Sequence, residues 1–435
     1  MTENLYPLPN NWRWEKLENV AKWSSGGTPS RKIPEYYCGD IAWLKTGELN
    51  DGYILDTEEK ISQDALKNSS AKIHPQNTVV IAMYGATIGK VGILKIEAAT
   101  NQACACAVCN SNIYFKYLFY YALSQKENFI RKSRGGAQPN ISQEIIKNFP
   151  IPVPPLAEQK RIAALLDSLF EKLDAAKSIV QKISDGYELR RAAILYRAFT
   201  GKLTENFRAE NGLTFNDWQE KTLSDLLLPM ETRRPTGETF RYIDIDSIDN
   251  RRQVVKAPKI IETAKAPSRA SRAVDSDNVL FSMVRPYLKN IALIDDNLKD
   301  CIASTGFFVC RCNENILPKF LYNFLRSLDT INYLMQFMKG DNSPSIRQEN
   351  FLGTPINLPS VDEQKEIVRI LEKLLANEQR TKEIAENVLR QIDALKKNIL
   401  TRAFRGEFFT NDPAEINITV ISGFYDALRT SEEKI

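Results

Sequence analysis

Three cysteines stand close together in the stretch NQACACAVCN, at Cys104, Cys106 and Cys109. Thiolates at such short spacing could begin a zinc site. A second stretch, FFVCRCN, carries Cys310 and Cys312 at the matching place, with phenylalanine where the first has small residues. Residues two apart lie on the same face of a strand, so we favour buried strands that use cysteine as a small apolar residue, with a zinc site as the alternative.

The sequence predicts no catalytic, metal-binding or cofactor-binding residues in this chain. Its one histidine, His74, precedes Pro75 without a serine or cysteine motif beside it. The stretch YGATIGK, Tyr84 to Lys90, resembles a phosphate loop weakly, because Val91 stands where serine or threonine is required, and a glycine-bearing turn is favoured. Neither G-x-G-x-x-G nor the Asn-Pro-Pro-aromatic tetrapeptide with which amino-methyltransferases hold a flipped base is present.

Basic residues cluster locally although the net charge is only +4, from 58 Lys and Arg against 54 Asp and Glu. The clusters are RKSR at 131–134, TRR at 232–234 and SRASR at 268–272. Clustered cations matter more for phosphate contact than the total charge does. Taken alone, each cluster is more typical of a solvated loop than of a binding patch.

Two long helical stretches must position these residues. The first reads PLAEQKRIAALLDSLFEKLDAAKSIVQKI from Pro155 and closes with RAFTGKL, and the second reads PSVDEQKEIVRILEKLL from Pro359 and closes with RAFRGEF at the same offset. The prolines stop the preceding segment, and Gly201 is a normal helix stop. The spacing predicts a helix from Glu158 to Phe199, about 63 Å long at 1.5 Å per residue.

The apolar residues of both stretches recur in steps of four and three, which is a coiled-coil seam. In the first stretch they are Ile162, Leu166, Leu169, Leu173, Ala176, Val180, Ile183 and Tyr187. The second stretch is interrupted by polar Glu378 and Thr381, which would help to fix the register. We expect the two helices to pack on each other, since repeats usually build one shared core; two separate coiled coils with outside partners are the alternative.

One β-rich domain is predicted before each long helical stretch. Runs such as NTVVIAMYG from Asn77 and NVLFSMV from Asn278 are separated by turn residues, as strands are. Each domain then turns helical, with aromatic residues at core-packing spacing, and runs into a glycine loop, GGAQPNIS or GDNSPSIR. We therefore predict an α+β fold with an internal pseudo-twofold repeat: residues 1–151, β-rich domain 1; 152–204, central helical region; 205–355, β-rich domain 2; 356–408, C-terminal helical region; 409–435, tail.

The composition is that of an ordinary soluble protein, and at 435 residues the chain should hold two or three domains. No apolar run approaches the length of a transmembrane helix, and the opening TENLYPLPNNW resembles no signal peptide, so we expect a cytoplasmic protein. The seven cysteines, an odd number in clusters, do not suggest a disulfide framework.

The whole pattern resembles the specificity subunit of type I restriction-modification systems, the HsdS family. The resemblance rests on two helices that open P-L-x-E-Q-K/R-x-I and close R-A-F-x-G-x-L/F, alternating with two β-rich domains from Trp12 to Phe408. The second opening departs slightly, with Ser360 and Val361 where the first has Pro155 and Leu156.

This resemblance implies a non-catalytic reader of double-stranded DNA that serves in phage defence. Each β-rich domain would be a target recognition domain for one half of a split, asymmetric DNA site. The antiparallel helices would set the spacer and dock two modification subunits. Those subunits would bind S-adenosylmethionine and methylate adenine, and restriction subunits that use ATP and magnesium (Mg) would join the complex.

Base and phosphate contacts are expected in the loops that differ between the two halves, which comprise residues 24–75 and 230–275, and in the basic clusters. Neutral drift of surface loops would also explain those differences. The candidates in the first domain are Arg31, Lys32, Lys45, Tyr84, Lys90, Arg131, Lys132, Arg134 and Gln138. The candidates in the second domain are Arg233, Arg234, Arg269, Arg272, Arg285, Tyr287, Lys289 and Arg347. For partner subunits we expect the exposed helix faces around Gln159, Lys160, Gln364 and Lys365.

A second class of function fits the repeat as well: a coiled-coil scaffold that holds two protein-binding domains and binds no DNA. Salt-sensitive DNA binding separates the two hypotheses. A nuclease or methyltransferase in its own right would require acidic or Asn-Pro-Pro motifs, which the sequence lacks.

Overall fold

The computed structural model describes residues 5–136 and 139–408. The chain forms two compact units, the first built from residues up to 179 together with residues from 388 onward, the second from residues 180–387. Each unit contains one β-rich domain and a segment of each long helical stretch. The candidate Gln138 and the predicted tail, 409–435, lie outside the described residues.

The domain of unit 1 contains a five-stranded sheet, a four-stranded sheet and a closing strand pair. The five-stranded sheet runs in the order Ala21–Ser25, Cys104–Cys109, Val79–Ala82, Val91–Leu94 and Gly52–Ile54. The four-stranded sheet has the order Glu59–Ile61, Ile41–Leu44, Ala98–Thr100 and Ile73–His74. Arg13–Lys16 pairs antiparallel with Pro150–Val153, so the first strand of the domain is joined to its last. The short helices and 3-10 turns are Leu17–Val20, Pro34–Tyr37, Thr46–Glu48, Gln63–Lys67, Gly85–Thr87, Phe115–Ser124, Lys126–Lys132 and Gln143–Lys147.

The domain of unit 2 repeats this plan. One four-stranded sheet runs Leu227–Leu228, Phe307–Cys312, Val279–Ser282 and Ile291–Leu293, and another runs Lys259–Glu262, Thr239–Ile243, Ile302–Ser304 and Ala270–Ala273. Gln219–Thr222 closes the domain by pairing with Pro355–Leu358, and Ile248–Asp249 pairs with Val254–Val255. The short helices and 3-10 turns are Glu205–Glu210, Phe215–Asp217, Leu223–Leu226, Ile245–Ser247, Thr263–Lys265, Pro286–Leu288, Pro318–Leu325, Leu328–Met335 and Gln348–Leu352.

The cysteine stretches are strands, as predicted. Cys104 and Cys106 are fully buried and lie in one apolar cluster, whereas their neighbours Ala105 and Ala107 face another. Burial raises the pKa of the Cys106 thiol to about 12, which the hydrogen bond with the Thr100 hydroxyl offsets in part. Such thiols are neutral packing groups at physiological pH. Among the described residues, no group of three or more His, Cys, Asp or Glu is placed to hold a metal ion.

The first long stretch is divided by one residue. Helices Leu156–Asp185 and Tyr187–Phe199 meet at Gly186, where a single helix was expected, and the second stretch is one helix, Val361–Phe404. Helical hydrogen bonding continues across the break, since the Gly186 N–H donates to the Lys182 carbonyl at 3.1 Å and the Arg190 N–H to the Gly186 carbonyl at 3.0 Å. The stretch is therefore interrupted at Gly186 while its helical hydrogen bonding runs on.

In unit 1 the two helical segments pack antiparallel on each other. Leu166 and Leu173 share a buried cluster with Ile392 and Ile399. At the rim, Lys177 pairs with Asp393 at 2.6 Å, and Asp174 pairs with Lys396. This arrangement confirms that the helices share a seam.

In unit 2 the same pairing has a more polar seam. Arg190 pairs with Glu378 at 2.8 Å, and the Tyr187 hydroxyl donates to Gln379 Oε1 at 2.9 Å. Glu378 therefore does link the helices, as the polar interruption suggested. Thr381 is exposed and donates to the Asn377 carbonyl of its own helix, and Ile183, expected in the seam, is 40% exposed.

Both helical stretches end against their domains through the phenylalanine of the RAF motif. Phe404 and Phe199 each pack edge-on between two aromatic residues one helical turn apart, at centroid distances of 5.2 to 5.4 Å. Those residues are Tyr117 and Tyr121 in unit 1, and Phe320 and Phe324 in unit 2. The following Gly201 and Gly406 have φ of +74° and +72°, the left-handed conformation that ends a helix at glycine.

Candidate nucleic-acid interface

The repeated glutamine of the E-Q-K motif fastens each helix to its domain. Gln159 Nε2 donates to the carbonyls of Pro154 and Asn112 at 2.9 and 3.0 Å, and its Oε1 accepts from the Tyr114 N–H at 2.9 Å. Gln364 makes the same three bonds, with Pro359, Asn315 and Leu317, at 2.8 to 3.0 Å.

The expected exposure of these two glutamines for partner subunits is therefore wrong. Gln159 and Gln364 are fully buried, because each satisfies three backbone groups left free where the domain joins the helix. Lys160 and Lys365 are exposed, the latter 2.9 Å from Asp362, and their role in partner binding stays a prediction.

Two loops in unit 1 are joined by backbone hydrogen bonds into one surface, which we call paired loops 1: residues 83–90 and the described part of 133–141. The Gly85 N–H donates to the Pro139 carbonyl at 2.8 Å, and the Ile141 N–H to the Met83 carbonyl at 2.9 Å. Arg134 and Asn140 exchange two bonds of 2.8 Å.

The same construction recurs in unit 2, as paired loops 2: residues 283–290 and 338–346. The Arg285 N–H donates to the Pro344 carbonyl at 2.8 Å, and the Ile346 N–H to the Met283 carbonyl at 3.0 Å. Lys339 and Ser345 exchange two bonds of 3.0 Å, as Arg134 and Asn140 do in unit 1.

These loops bring together candidates that are far apart in the sequence. Exposed Tyr84 and Arg134 both bridge to Asn140 in paired loops 1, and half-buried Lys90 ends the first of these loops. Arg131 and Lys132 are exposed on the helix that leads into the second of these loops. In paired loops 2 the candidates are Arg285, Tyr287 and Lys289, all in the first loop. Exposed Arg347 directly follows the second loop.

Sequence reasoning missed Lys339, which is exposed and occupies the place of Arg134. Its position directly before Gly340, as Arg134 precedes Gly135, was the available signal.

Paired loops 2 carry basic residues in an unusual backbone conformation. Arg285 and Lys289 have φ of +48° and +54°, where Gly85 and Gly89 of paired loops 1 have +63° and +76°. Non-glycine residues in this region cost about 1 kcal/mol or more each. Retaining long cations there favours a binding role, because a turn alone would be served better by glycine.

Two candidates in unit 1 are already neutralised within the domain. Arg31 lies 2.6 Å from Glu59 and 4.0 Å from the centre of the Tyr37 ring, and Lys45 lies 2.8 Å from Glu59 and 3.1 Å from Glu58. The hydrogen bonds from Arg31 and then Lys45 lower the pKa of Glu59 to about 2. These two cations are poorer phosphate ligands than the exposed Lys32 beside them.

The remaining candidates of unit 2 gather along the strand Ala270–Ala273. The Arg233 N–H donates to the Ser271 carbonyl at 3.0 Å, so the TRR and SRASR clusters meet. Arg233 is held by Asp275 at 3.2 Å, whereas Arg234 and Arg269 are exposed. Arg272 is half-buried, and its buried Nε has no hydrogen-bond partner within the described part of the chain.

Comparison with known proteins agrees with this duplicated plan. The family model described as the type I restriction modification DNA specificity domain matches residues 9–184 and again 216–389. Each match contains one β-rich domain and the start of a long helical stretch. Within the described residues, no helix is long and apolar enough to cross a membrane.

Three curated relatives are specificity subunits of type I restriction enzymes. The chain is 31% identical to the EcoR124I/EcoR124II subunit of Escherichia coli over 189 residues, 42% of this chain and 46% of that one. It is 25% identical to the EcoKI subunit of Escherichia coli (strain K12), over 96% of this chain and 93% of that one. It is 24% identical to the EcoBI subunit of Escherichia coli, over 96% and 90% of the two chains.

Two solved structures share the fold. A chain from a study of complex assembly and conformational transition of the type I R-M system aligns with a TM-score of 0.73 at 20% identity, covering 92% of this chain and 100% of that one. The HsdS subunit from Thermoanaerobacter tengcongensis aligns with a TM-score of 0.61 at 20% identity, covering 93% and 100%. The two matches of the family model together cover most of this chain. The chain therefore belongs to the family of type I restriction modification DNA specificity domains.

Proposed function

We propose that this chain reads a bipartite DNA sequence, with the domain of each unit reading one half. In this role the chain is the sequence-recognition subunit of a type I restriction-modification complex and supplies no catalytic group. The methyl donor S-adenosylmethionine, and ATP with magnesium, would be bound by modification and restriction subunits.

The observation that carries this proposal is the duplication of the paired loops. Each unit uses the same backbone bonds to hold two loops together, and each places cations on them, Arg134 in unit 1 and Arg285 and Lys339 in unit 2. A common frame with different side chains suits two readers of different short sequences. Arginine can make paired bonds to guanine, while lysine and arginine also neutralise phosphates.

The long helices would serve as spacer and docking surface. A packed helix pair holds its length stiffly, and two readers that enter grooves on one face of the duplex need a separation of about one helical turn, roughly 34 Å. The exposed Lys160 and Lys365 are candidates for contact with the two modification subunits.

The DNA-binding part is tested by the salt dependence of duplex binding by the full chain, co-purified with its modification subunits. The logarithm of the association constant should fall with the logarithm of salt concentration, with a slope of about −0.9 per phosphate neutralised. The double variant Lys32→Gln, Arg234→Gln, at two exposed candidates, should reduce that slope by about two. Lys373→Gln, an exposed lysine on the C-terminal helix, is the matched control and should leave it unchanged. Salt-insensitive or absent binding by an assembled complex would favour a scaffold.

A further inference from the structure

Two arginines of unit 2 converge on one buried glutamine, and a lysine lies near the two arginines. Arg326, which follows the helix Pro318–Leu325, donates from Nε to Gln253 Oε1 at 2.5 Å, and Arg191 donates from Nη2 to the same oxygen. Lys289, the last residue of the turn in paired loops 2, is half-buried close enough to both arginines to be repelled by them.

Positive charge exceeds negative charge at this point. Among the described residues the ion pairs of Arg191 are limited to Glu188, 3.9 Å away, and that side chain is 72% exposed. Burial, followed by repulsion from Arg191, lowers the pKa of Lys289. Burial is also the largest cause that lowers the pKa of Arg326, to about 10. Buried cations of this kind usually have an anion as partner.

The glutamine itself carries an unused donor. Gln253 is fully buried, and its Nε2 has no hydrogen-bond partner among the residues that the structure describes, while its Oε1 accepts from the two arginines. The Gln253 backbone is left-handed, with φ of +60°, and the Tyr322 hydroxyl donates to the Gln253 carbonyl at 2.8 Å. An unsatisfied buried donor beside two arginines indicates a missing acceptor.

Unit 1 supplies that acceptor internally. In both units a left-handed residue lies after a 3-10 turn and directly before a short strand, and in unit 1 it is Asp51, with φ of +60°. The Asp51 carboxylate accepts from the Val91 N–H at 2.9 Å and pairs with Lys126 at 3.0 Å. Unit 2 has a neutral amide at this place and more cations around it.

We propose that Arg191, Arg326, Lys289 and the Gln253 amide form a phosphate-binding site, occupied in function by one phosphate of the DNA backbone. The assignment to DNA rests on the proposed function, and on the position of Lys289 in the same turn as Arg285 and Tyr287. Guanidinium groups bind phosphate through paired, charge-assisted hydrogen bonds, and such a contact fixes the register of a reader without specifying bases.

The test is Gln253→Glu, which builds into unit 2 the carboxylate that unit 1 already has. In the full chain without DNA, replacing chloride by inorganic phosphate at constant ionic strength should raise the Tm of the wild type by about 2 to 4 °C. The variant should start at an equal or higher Tm and show no phosphate response. Gln219→Glu, the same change at an exposed strand position, should keep the wild-type response.

Duplex DNA then distinguishes a backbone phosphate from a free phosphate ion. In the complex with modification subunits, Gln253→Glu should weaken binding to every duplex and reduce the salt slope by about one, with the selected sequence unchanged. Lys289→Gly, which places glycine where Gly89 stands in unit 1, should act in the same direction.

Two results would overturn the proposal. Equal phosphate responses in wild type and Gln253→Glu would remove the site, whether or not the chain reads DNA. A phosphate response with an unchanged salt slope would remove the assignment to the DNA backbone. Failure of the proposed function would be seen separately, as a wild-type complex that selects no sequence.

Discussion

At the scale of single residues, buried polar side chains connect the start of each long helical stretch to the domain that precedes it. Gln159 and Gln364 satisfy three backbone groups each, and Glu363 accepts from Arg208 at 2.6 Å, from Thr204 at 2.6 Å and from Trp218 Nε1 at 2.9 Å. Removing one member of such a set leaves the others buried without partners, which costs more than the bond itself contributes.

Gln159→Leu should therefore destabilise unit 1, although the leucine side chain is similar in volume to the glutamine side chain that it replaces. The Tyr114 N–H and the carbonyls of Asn112 and Pro154 would lose their partner, and we expect a loss of about 3 kcal/mol. Urea unfolding of the full chain, followed by tryptophan fluorescence, measures it. Lys160→Leu, at the exposed neighbouring position, should change stability by no more than about 0.5 kcal/mol; equal losses in the two variants would contradict the role of Gln159.

Arg208→Met should be more severe, because Glu363 is 2% exposed and would be left as an uncompensated buried charge. The expected loss is about 3 to 5 kcal/mol. The double variant Arg208→Met, Glu363→Gln should recover part of it, and a double-mutant cycle gives the coupling. Additive losses would show that the two side chains act independently.

Arg285→Gly tests whether the left-handed conformation is maintained for binding. Glycine relieves the backbone at φ of +48° while the guanidinium is lost, so stability should stay within about 1 kcal/mol of the wild type and affinity for duplex DNA should fall. Asn11→Gly, at φ of +76° and outside the paired loops, should leave DNA affinity unchanged. Full DNA affinity in Arg285→Gly would remove Arg285 from the interface.

At the scale of elements, the two helical stretches are held by seams of different polarity. The unit 1 segment relies on apolar residues with ion pairs at its rim, and the unit 2 segment adds Arg190–Glu378 at 2.8 Å, with 37% and 20% of the side chains exposed. Such partly exposed pairs contribute little energy, so the pair serves register more than stability.

Glu378→Arg should destabilise unit 2 by about 1 kcal/mol, since it places two guanidinium groups together. Exchanging the charges, with Arg190→Glu and Glu378→Arg, should restore most of the loss. Urea unfolding of the single and double variants measures both steps. Failure of the exchange to recover stability would show that the pair does not join the helices.

The elements differ in how far the sequence predicts them. The helices, the cysteine strands and the Gly201 stop were predictable, because each depends on local spacing and on residues whose backbone preferences are strong. The paired loops were not, because the bond from Gly85 to Pro139 joins residues far apart in the sequence. The sequence places Gln159 on an exposed helix face, and only the fold reveals the three buried backbone groups that it satisfies.

At the scale of the whole molecule, the central claim is that two readers on one duplicated frame recognise a split DNA site. If the helices set the gap, removing one heptad from each would shorten them by about 10 Å, equal to about three base pairs of duplex. The preferred spacer should then shift or binding should be lost. An unchanged spacer in DNA selected by the deletion variant would contradict the spacer role.

The most direct test of the central claim is selection from a library of random duplex DNA, at moderate salt, by the full chain co-purified with its modification subunits. We predict an enriched motif of two short blocks around a fixed gap. Arg134→Ala should alter only one block, and Lys339→Ala only the other. If the assembled complex enriches no motif, or if either variant alters both blocks equally, the account of two independent readers is wrong.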